Sequence, residues 1–106
     1  MAFTIKQNDT SPSLGATLKD AQLVPVSLVG AAVKFHMNSL EGVVKVNQTM
    51  TVTDAEGGVI QYDWQAGDTD TVGAYSAEFQ VTFADGTVET FPNDGNLSVS
   101  IVKELG

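Results

Sequence analysis

The feature that most constrains this chain is an alternation of apolar and polar residues with a period of two, repeated in segment after segment. Phe3 and Ile5 alternate with Thr4 and Lys6, Leu14, Ala16 and Leu18 with Gly15, Thr17 and Lys19, and Val33, Phe35 and Met37 with Lys34, His36 and Asn38. Met50 and Val52 continue the pattern, as do Ile60, Tyr62 and Trp64. The longest run sets Tyr75, Ala77, Phe79, Val81 and Phe83 on one face and Ser76, Glu78, Gln80 and Thr82 on the other; Leu97, Val99 and Ile101 close the series. Successive side chains of a strand point to opposite faces, so this pattern specifies half-buried strands with one wet face. No segment carries a helical period longer than two turns.

The interruptions agree. Asp9 to Ser13, Val29-Gly30, Glu41-Gly42, Glu56-Gly57-Gly58, Ala66 to Thr71, Ala84-Asp85-Gly86 and Asn93 to Asn96 are turn signals at short intervals. Asp85-Gly86 between two strand patterns marks a hairpin, because Gly86 can take the positive φ that the turn requires. About seven to nine strands in about 100 residues predict an all-β sandwich of two sheets rather than any helical design. The expectation is one antiparallel domain over residues 1–106, with no internal repeat or linker and no disulfide, since the chain has no cysteine. Gly73 stands two residues before Tyr75, which begins the longest strand. Immunoglobulin-like sandwiches tie the corner before such a strand through a tyrosine hydroxyl. Ala77 occupies the place of the antibody-domain cysteine, and Trp64 lies just before the corner, so the predicted sandwich is of its own immunoglobulin-like subtype.

Charge removes several functions. Thirteen acids face five lysines, there is no arginine, and the net charge is −8. Such a surface repels nucleic-acid phosphates and anionic lipid, and lacks the bidentate phosphate clamp that arginine supplies. The start of the chain has neither the basic segment nor the apolar core of a signal peptide. No apolar run approaches the roughly 20 residues that span a bilayer. The expected protein is therefore soluble and made in the cytoplasm, with no nucleic-acid or membrane partner.

Catalytic constellations are missing. His36 is the only histidine, and its alternation puts it on the face opposite the core. No serine has a Gly-x-Ser-x-Gly context. Asp63, Asp68, Asp70 and Asp94 are the metal candidates, with Asp68 and Asp70 two apart in a loop that suits calcium. The twelve-residue calcium-loop pattern and its terminal glutamate are absent, and Asp-Thr-Asp or Asn-Asp-Gly is ordinary turn chemistry. Glu78 and Glu89 could pair with other acids for glycoside hydrolysis, but nothing brings Glu78 beside another acid in a cleft. Trp64, Tyr62 and Tyr75 are the aromatics that could stack on a sugar, although their alternation fits core packing. The reading is of a protein that is not an enzyme and takes no cofactor. Two segments could meet a partner: Phe3 to Gln7, with Phe3 and Ile5, at a sheet edge, and Val43, set opposite Val44 and Val46 on its strand.

The segments FTIKQNDTSPSLGATLKDA, VSLVGAAVKFHM and YDWQAGDTDTVGAYSAEFQVTFADGTVETFPNDG resemble the N-terminal domain of bacteriophage baseplate upper proteins. The similarity runs from about Phe3 to Ile101. Its most specific pieces are Lys6 to Asp9, Val33 to Met37 and Gly73 to Gly95. The resemblance implies an immunoglobulin-like sandwich that docks onto other tail proteins, present in several copies in a virion, with no known catalysis. Longer members continue into segments that carry receptor-binding proteins. With the chain ending at Gly106, the expectation is a small tail, baseplate or head-surface component; a capsid decoration protein and a carbohydrate-binding or adhesive module are the alternatives.

Overall fold

Each alternating segment becomes a strand in the computed structural model, which describes residues 2–93 and 95–105. The strands are β1 (Ala2–Lys6), β2 (Leu14–Thr17), β3 (Ala32–Ser39), β4 (Val44–Thr49), β5 (Thr51–Asp54), β6 (Val59–Tyr62), β7 (Gly73–Thr82), β8 (Val88–Phe91) and β9 (Leu97–Val102). They form two sheets facing each other across one core. The larger has the order β1-β9-β7-β3-β4, with β8 also on β7; the smaller has the order β2-β6-β5. No helix occurs among the described residues. The fold is an all-β sandwich.

β7 organises the larger sheet. Tyr75 to Thr82 pair with β3 along one side. On the other side Gly73 to Ala77 pair with β9, and Phe79 to Thr82 pair with β8. One departure from the antiparallel expectation stands at the edge, where β1 runs parallel to β9, with Phe3 opposite Val99 and Ile5 opposite Ile101. Nearly the whole chain separates these two strands, so no tight turn dictates their relative direction.

The inward faces are those that the alternation predicts. Leu14, Ala16, Val33, Phe35, Met37, Ile60, Tyr62, Tyr75, Ala77, Phe79, Val81, Leu97, Val99 and Ile101 are all buried. Phe35 of β3 reaches across the gap to Tyr62 of β6, with ring centroids 4.8 Å apart, and meets Trp64 edge-on at 5.7 Å. It also stacks on Phe79 of the neighbouring strand at 6.0 Å. These offset and edge-to-face arrangements are the favoured geometries of aromatic pairs.

Two glycines hold turns that other residues would strain. The β7–β8 connection closes with Phe83 N donating to Thr87 O at 2.8 Å, and Asp85 Oδ1 accepts from Thr87 N at 3.0 Å and Thr87 Oγ1 at 2.6 Å. Gly86, at φ +88°, is the last of the three loop residues and has open space where a Cβ would point. This is the left-handed position of a three-residue hairpin loop. Gly58, at φ +68°, is more constrained. A Cβ there would lie 2.7 Å from Val26 O and 2.8 Å from Leu18 O, because Leu18 N donates to Gly58 O at 2.8 Å and Val26 N to Leu18 O at 2.9 Å. Gly58→Ala is expected to destabilise the chain by about 2 kcal/mol or more, through backbone overlap added to the conformational penalty. Gly86→Ala is expected to cost about 1 kcal/mol, from the conformation alone. Urea unfolding measures both; equal midpoints for the two variants would show that Gly58 is not held between those carbonyls.

Candidate functional site

Residues 63 to 72, which carry the chain from β6 to β7, are tied down on several sides. Tyr62 Oη donates to Asp68 Oδ2 at 2.5 Å, and Gln65 N donates to the same oxygen at 2.8 Å. Asn8 N donates to Thr69 O at 2.9 Å, and the buried Thr69 returns its hydroxyl to Asp9 O at 2.7 Å. Gln7 Nε2 donates to Asp70 O at 2.9 Å. At the end of the segment Tyr75 Oη donates to Thr71 O at 2.6 Å, the tie that a tyrosine corner makes. Gly73 lies nearly extended at φ 157°, with the Tyr75 ring 3.8 Å from the place of a Cβ, an ordinary contact.

These bonds account for the loop acids. Asp68 is the acceptor for Tyr62 and for its own turn. Asp70 forms an ion pair with Lys45 and accepts from Thr71 Oγ1 at 2.9 Å. The Lys45 ammonium first and the Thr71 hydroxyl second hold the Asp70 carboxyl below the usual carboxylate range. Asp63 accepts from Ser13 Oγ at 2.6 Å and from Gln61 Nε2 at 2.7 Å, and these two bonds, in that order, lower its pKa as well. Each acid thus faces partners of its own. No group of three histidines, aspartates or glutamates placed to hold a metal occurs among the described residues; Asp94 lies outside them.

The aromatics proposed for sugar stacking do not face water. Tyr62 and Trp64 are each 3% exposed, and Tyr75 is buried with them. Trp64 packs on Phe3 at 5.8 Å and stands perpendicular to Tyr62 at 5.3 Å. Its Nε1 has no hydrogen-bond partner among the described residues, so the indole is held by its rings and not by its polar edge. His36 lies on the outer face of the larger sheet, opposite Glu78 of β7 and Asn47 of β4 in register, and is half-buried. Glu78 shares that face.

The partner candidates are corrected in part. β1 is an edge strand with β9 on one side, but Ile5 is buried against the core and Phe3 is half-buried under Trp64. The apolar side chains of β1 are therefore already used, and only its backbone edge and polar residues face outward. Val43 is 66% exposed, and Val44 is 63% exposed although the alternation sets it with the buried Val46. A β-bulge explains the change: Met37 pairs with Val46 but Asn38 pairs with Val44, leaving Lys45 as the extra residue. Bulges re-aim side chains; here Val44 turns outward and Lys45 reaches Asp70.

Leu40 and Val72, 68% and 47% exposed, join the two valines. Leu40 sits in the β3–β4 turn and Val72 just before β7. Two shallow depressions of about 270 and 430 Å³ lie here, and both are lined by Ser39, Thr71 and Tyr75, so the four aliphatics rim one continuous patch. An aliphatic residue inside a turn signal, Leu40 before Glu41-Gly42, was the legible sign of it.

A family model, BppU N-terminal domain, matches residues 2–105. The chain belongs to this family. The family is that of the N-terminal domain of phage baseplate upper proteins, which places the chain among phage baseplate structural components. Among solved structures, the chain is similar to CopC from Methylosinus trichosporium OB3b, at 11% identity and a TM-score of 0.54, over 98% of this chain and 86% of that one. At that identity the likeness concerns the β-fold alone. No curated protein matches the chain by sequence.

Two variants test the ties that hold the segment. Tyr75→Phe is expected to lower stability by about 1 kcal/mol, the usual cost of removing a hydrogen bond and leaving its acceptor without a partner; an unchanged denaturation midpoint would argue against the corner. Burial first, and the Asp68 bond and charge next, raise the Tyr62 phenol above its usual 10.0. The folded state then keeps a proton that the unfolded chain releases, so stability falls as pH rises through about 10. Thermal melts from pH 8 to 11 should show this loss, and Tyr62→Phe should flatten it; an equally steep loss in the variant would remove Tyr62 as the cause.

Proposed function

We propose that this chain is a structural component of the phage baseplate that acts by protein–protein contact, with the patch of Leu40, Val43, Val44 and Val72 as its docking face for another phage structural protein. The exposed patch is the observation that carries the reading. Leu23, Val24, Val29, Val88 and Leu105 are exposed as well, but Leu40, Val43, Val44 and Val72 are the four that line two depressions sharing Ser39, Thr71 and Tyr75. Covering what these four expose is worth on the order of 4–7 kcal/mol in total, at about 1.5–3 kcal/mol for a fully buried side chain. That is enough to matter in an assembly of several copies, where weak contacts multiply. The outer edge of β1 offers a second, backbone-mediated contact of the strand-addition kind.

The proposed activity is assembly, without catalysis. The buried aromatics argue against a sugar platform built from Trp64, Tyr62 and Tyr75. A virion component made in the host cytoplasm accords with this reading.

The test is to introduce Val43→Glu with Val72→Glu into the encoding phage and measure copies per purified particle. Both side chains are exposed, so the melting temperature of the isolated chain should change little. Incorporation should fall at least tenfold. Incorporation at the parent copy number would remove the patch from the interface, and absence of the parent chain from particles would overturn the structural reading itself.

A further inference from the structure

At the opposite end of β4 from the apolar patch, a cleft of about 370 Å³ opens between the two sheets. Gln48 and Thr49 of β4 form one wall, and Gln61, Asp63 and Gln65 the other, over the buried ring of Tyr62. The lining is amide, hydroxyl and carboxylate, unlike the aliphatic depressions at the other end. How these groups are already bonded decides what the cleft can accept.

Gln61 donates its amide N–H to the Asp63 carboxylate at 2.7 Å, and Gln65 donates its amide N–H to Asp63 O at 2.9 Å. Each of these bonds needs a donor, because a carboxylate and a backbone carbonyl only accept. The orientation of both amides is thereby fixed, and their Oε1 atoms are left as acceptors. Ser13 and Gln61 both bond to Oδ1 of Asp63, and Oδ2 takes no hydrogen bond among the described residues. No cation pairs with Asp63 either: Lys45–Asp70 is the one ion pair among the described residues. The wall therefore offers a carboxylate oxygen and two amide carbonyls with their bonding capacity unused, on a chain of net charge −8 that has no arginine.

We propose that this cleft is an anchor site for an arginine side chain presented by the partner protein. A guanidinium is a planar fork of five N–H donors and accepts nothing. It matches a wall of acceptors holding a single unpaired carboxylate, and the cleft is large enough for the head group and part of its stem. The proposal rests on the docking function above and names the chemistry that the partner must bring. The apolar patch and the cleft lie about 13 Å apart along β4, taken from four residues at roughly 3.3 Å each. One partner surface with an apolar spot and a basic side chain at that separation would engage both.

The experiment titrates the isotopically labelled chain with acetyl-arginine amide, acetyl-lysine amide and the neutral isostere acetyl-citrulline amide, following backbone and glutamine side-chain amide resonances. Arginine amide should produce saturable shifts centred on Gln48, Gln61, Asp63 and Gln65. Lysine amide should bind more weakly and citrulline amide at least tenfold more weakly. Asp63→Asn, at an exposed position that should keep the fold, should weaken arginine binding at least tenfold while leaving the spectrum otherwise native. Val43→Glu with Val72→Glu should leave it unchanged, which separates failure of this site from failure of the apolar patch. Shifts spread over the whole acidic surface, or equal binding of citrulline amide or by Asp63→Asn, would overturn the site. Saturable shifts at the same residues with a neutral methyl glycoside, exceeding those with arginine amide, would overturn it in favour of a sugar.

Discussion

The contact between Phe35 and the Tyr62–Trp64 pair is the one on which the rest of the molecule depends. Phe35 belongs to the larger sheet and Tyr62 to the smaller, and their rings are 4.8 Å apart. Without that bridge the aromatic part of the smaller sheet's inner face would lose its cover from β3, and with it the largest apolar rings that the two sheets bury between them. The same cluster sets the course of the loop that follows. Trp64 is held between Phe35 and Phe3, so the chain leaves β6 pinned against the core. Its next residues then meet Gln7 to Asp9 and form the ties of Asp68, Thr69 and Asp70. The loop acids thus answer to a packing constraint inside the sandwich.

That anchoring also explains why the proposed docking face lies where it does. Asp70 comes to rest beside β4, and the bulge at Lys45 turns a cation toward it. The bulge shifts the phase of β4 by one residue, so Val44 joins Val43 in solvent while Val46 stays in the core. The Tyr75–Thr71 bond holds the opposite wall and presents Val72. Three local features that each have a structural reason of their own combine to expose aliphatic side chains on one rigid surface. A preorganised face of this kind loses little conformational freedom on binding.

Much of this was legible in the alternation, and the exceptions have physical causes. Val33, Phe35 and Met37, and Tyr75 through Val81, point inward as their spacing predicts, because a strand buried on one face has no other register that hides them. Ile5 follows the same rule and is buried, which removes it from the contact surface that an edge strand predicts. Val44 broke the rule, since a bulge is one extra residue and leaves no mark in a hydrophobic pattern. The parallel pairing of β1 with β9 was equally hidden: pairing between distant segments is decided by the whole topology. Gly58 was visible only as part of a Gly-Gly turn signal. Its constraint comes from Leu18 and Val26, far away in sequence. The acceptor wall around Asp63 could not be read at all, because it depends on which way two glutamine amides point.

The distribution of charge gives the surface its last rationale. Exposed aliphatic patches invite self-association, and a chain with the proposed assembly role needs something to oppose it beforehand. A net charge of −8 does so, because two copies approaching one another carry the same net sign. The same charge favours a partner carrying the opposite sign. Placing an acceptor-lined carboxylate at one end of β4 and the apolar patch at the other makes the discrimination local as well as global. A second copy of the chain, with no arginine and few lysines, could satisfy the patch but not the cleft. Specificity arises from this difference between partners, and on the proposed function it would come from the placement of the two sites along one strand.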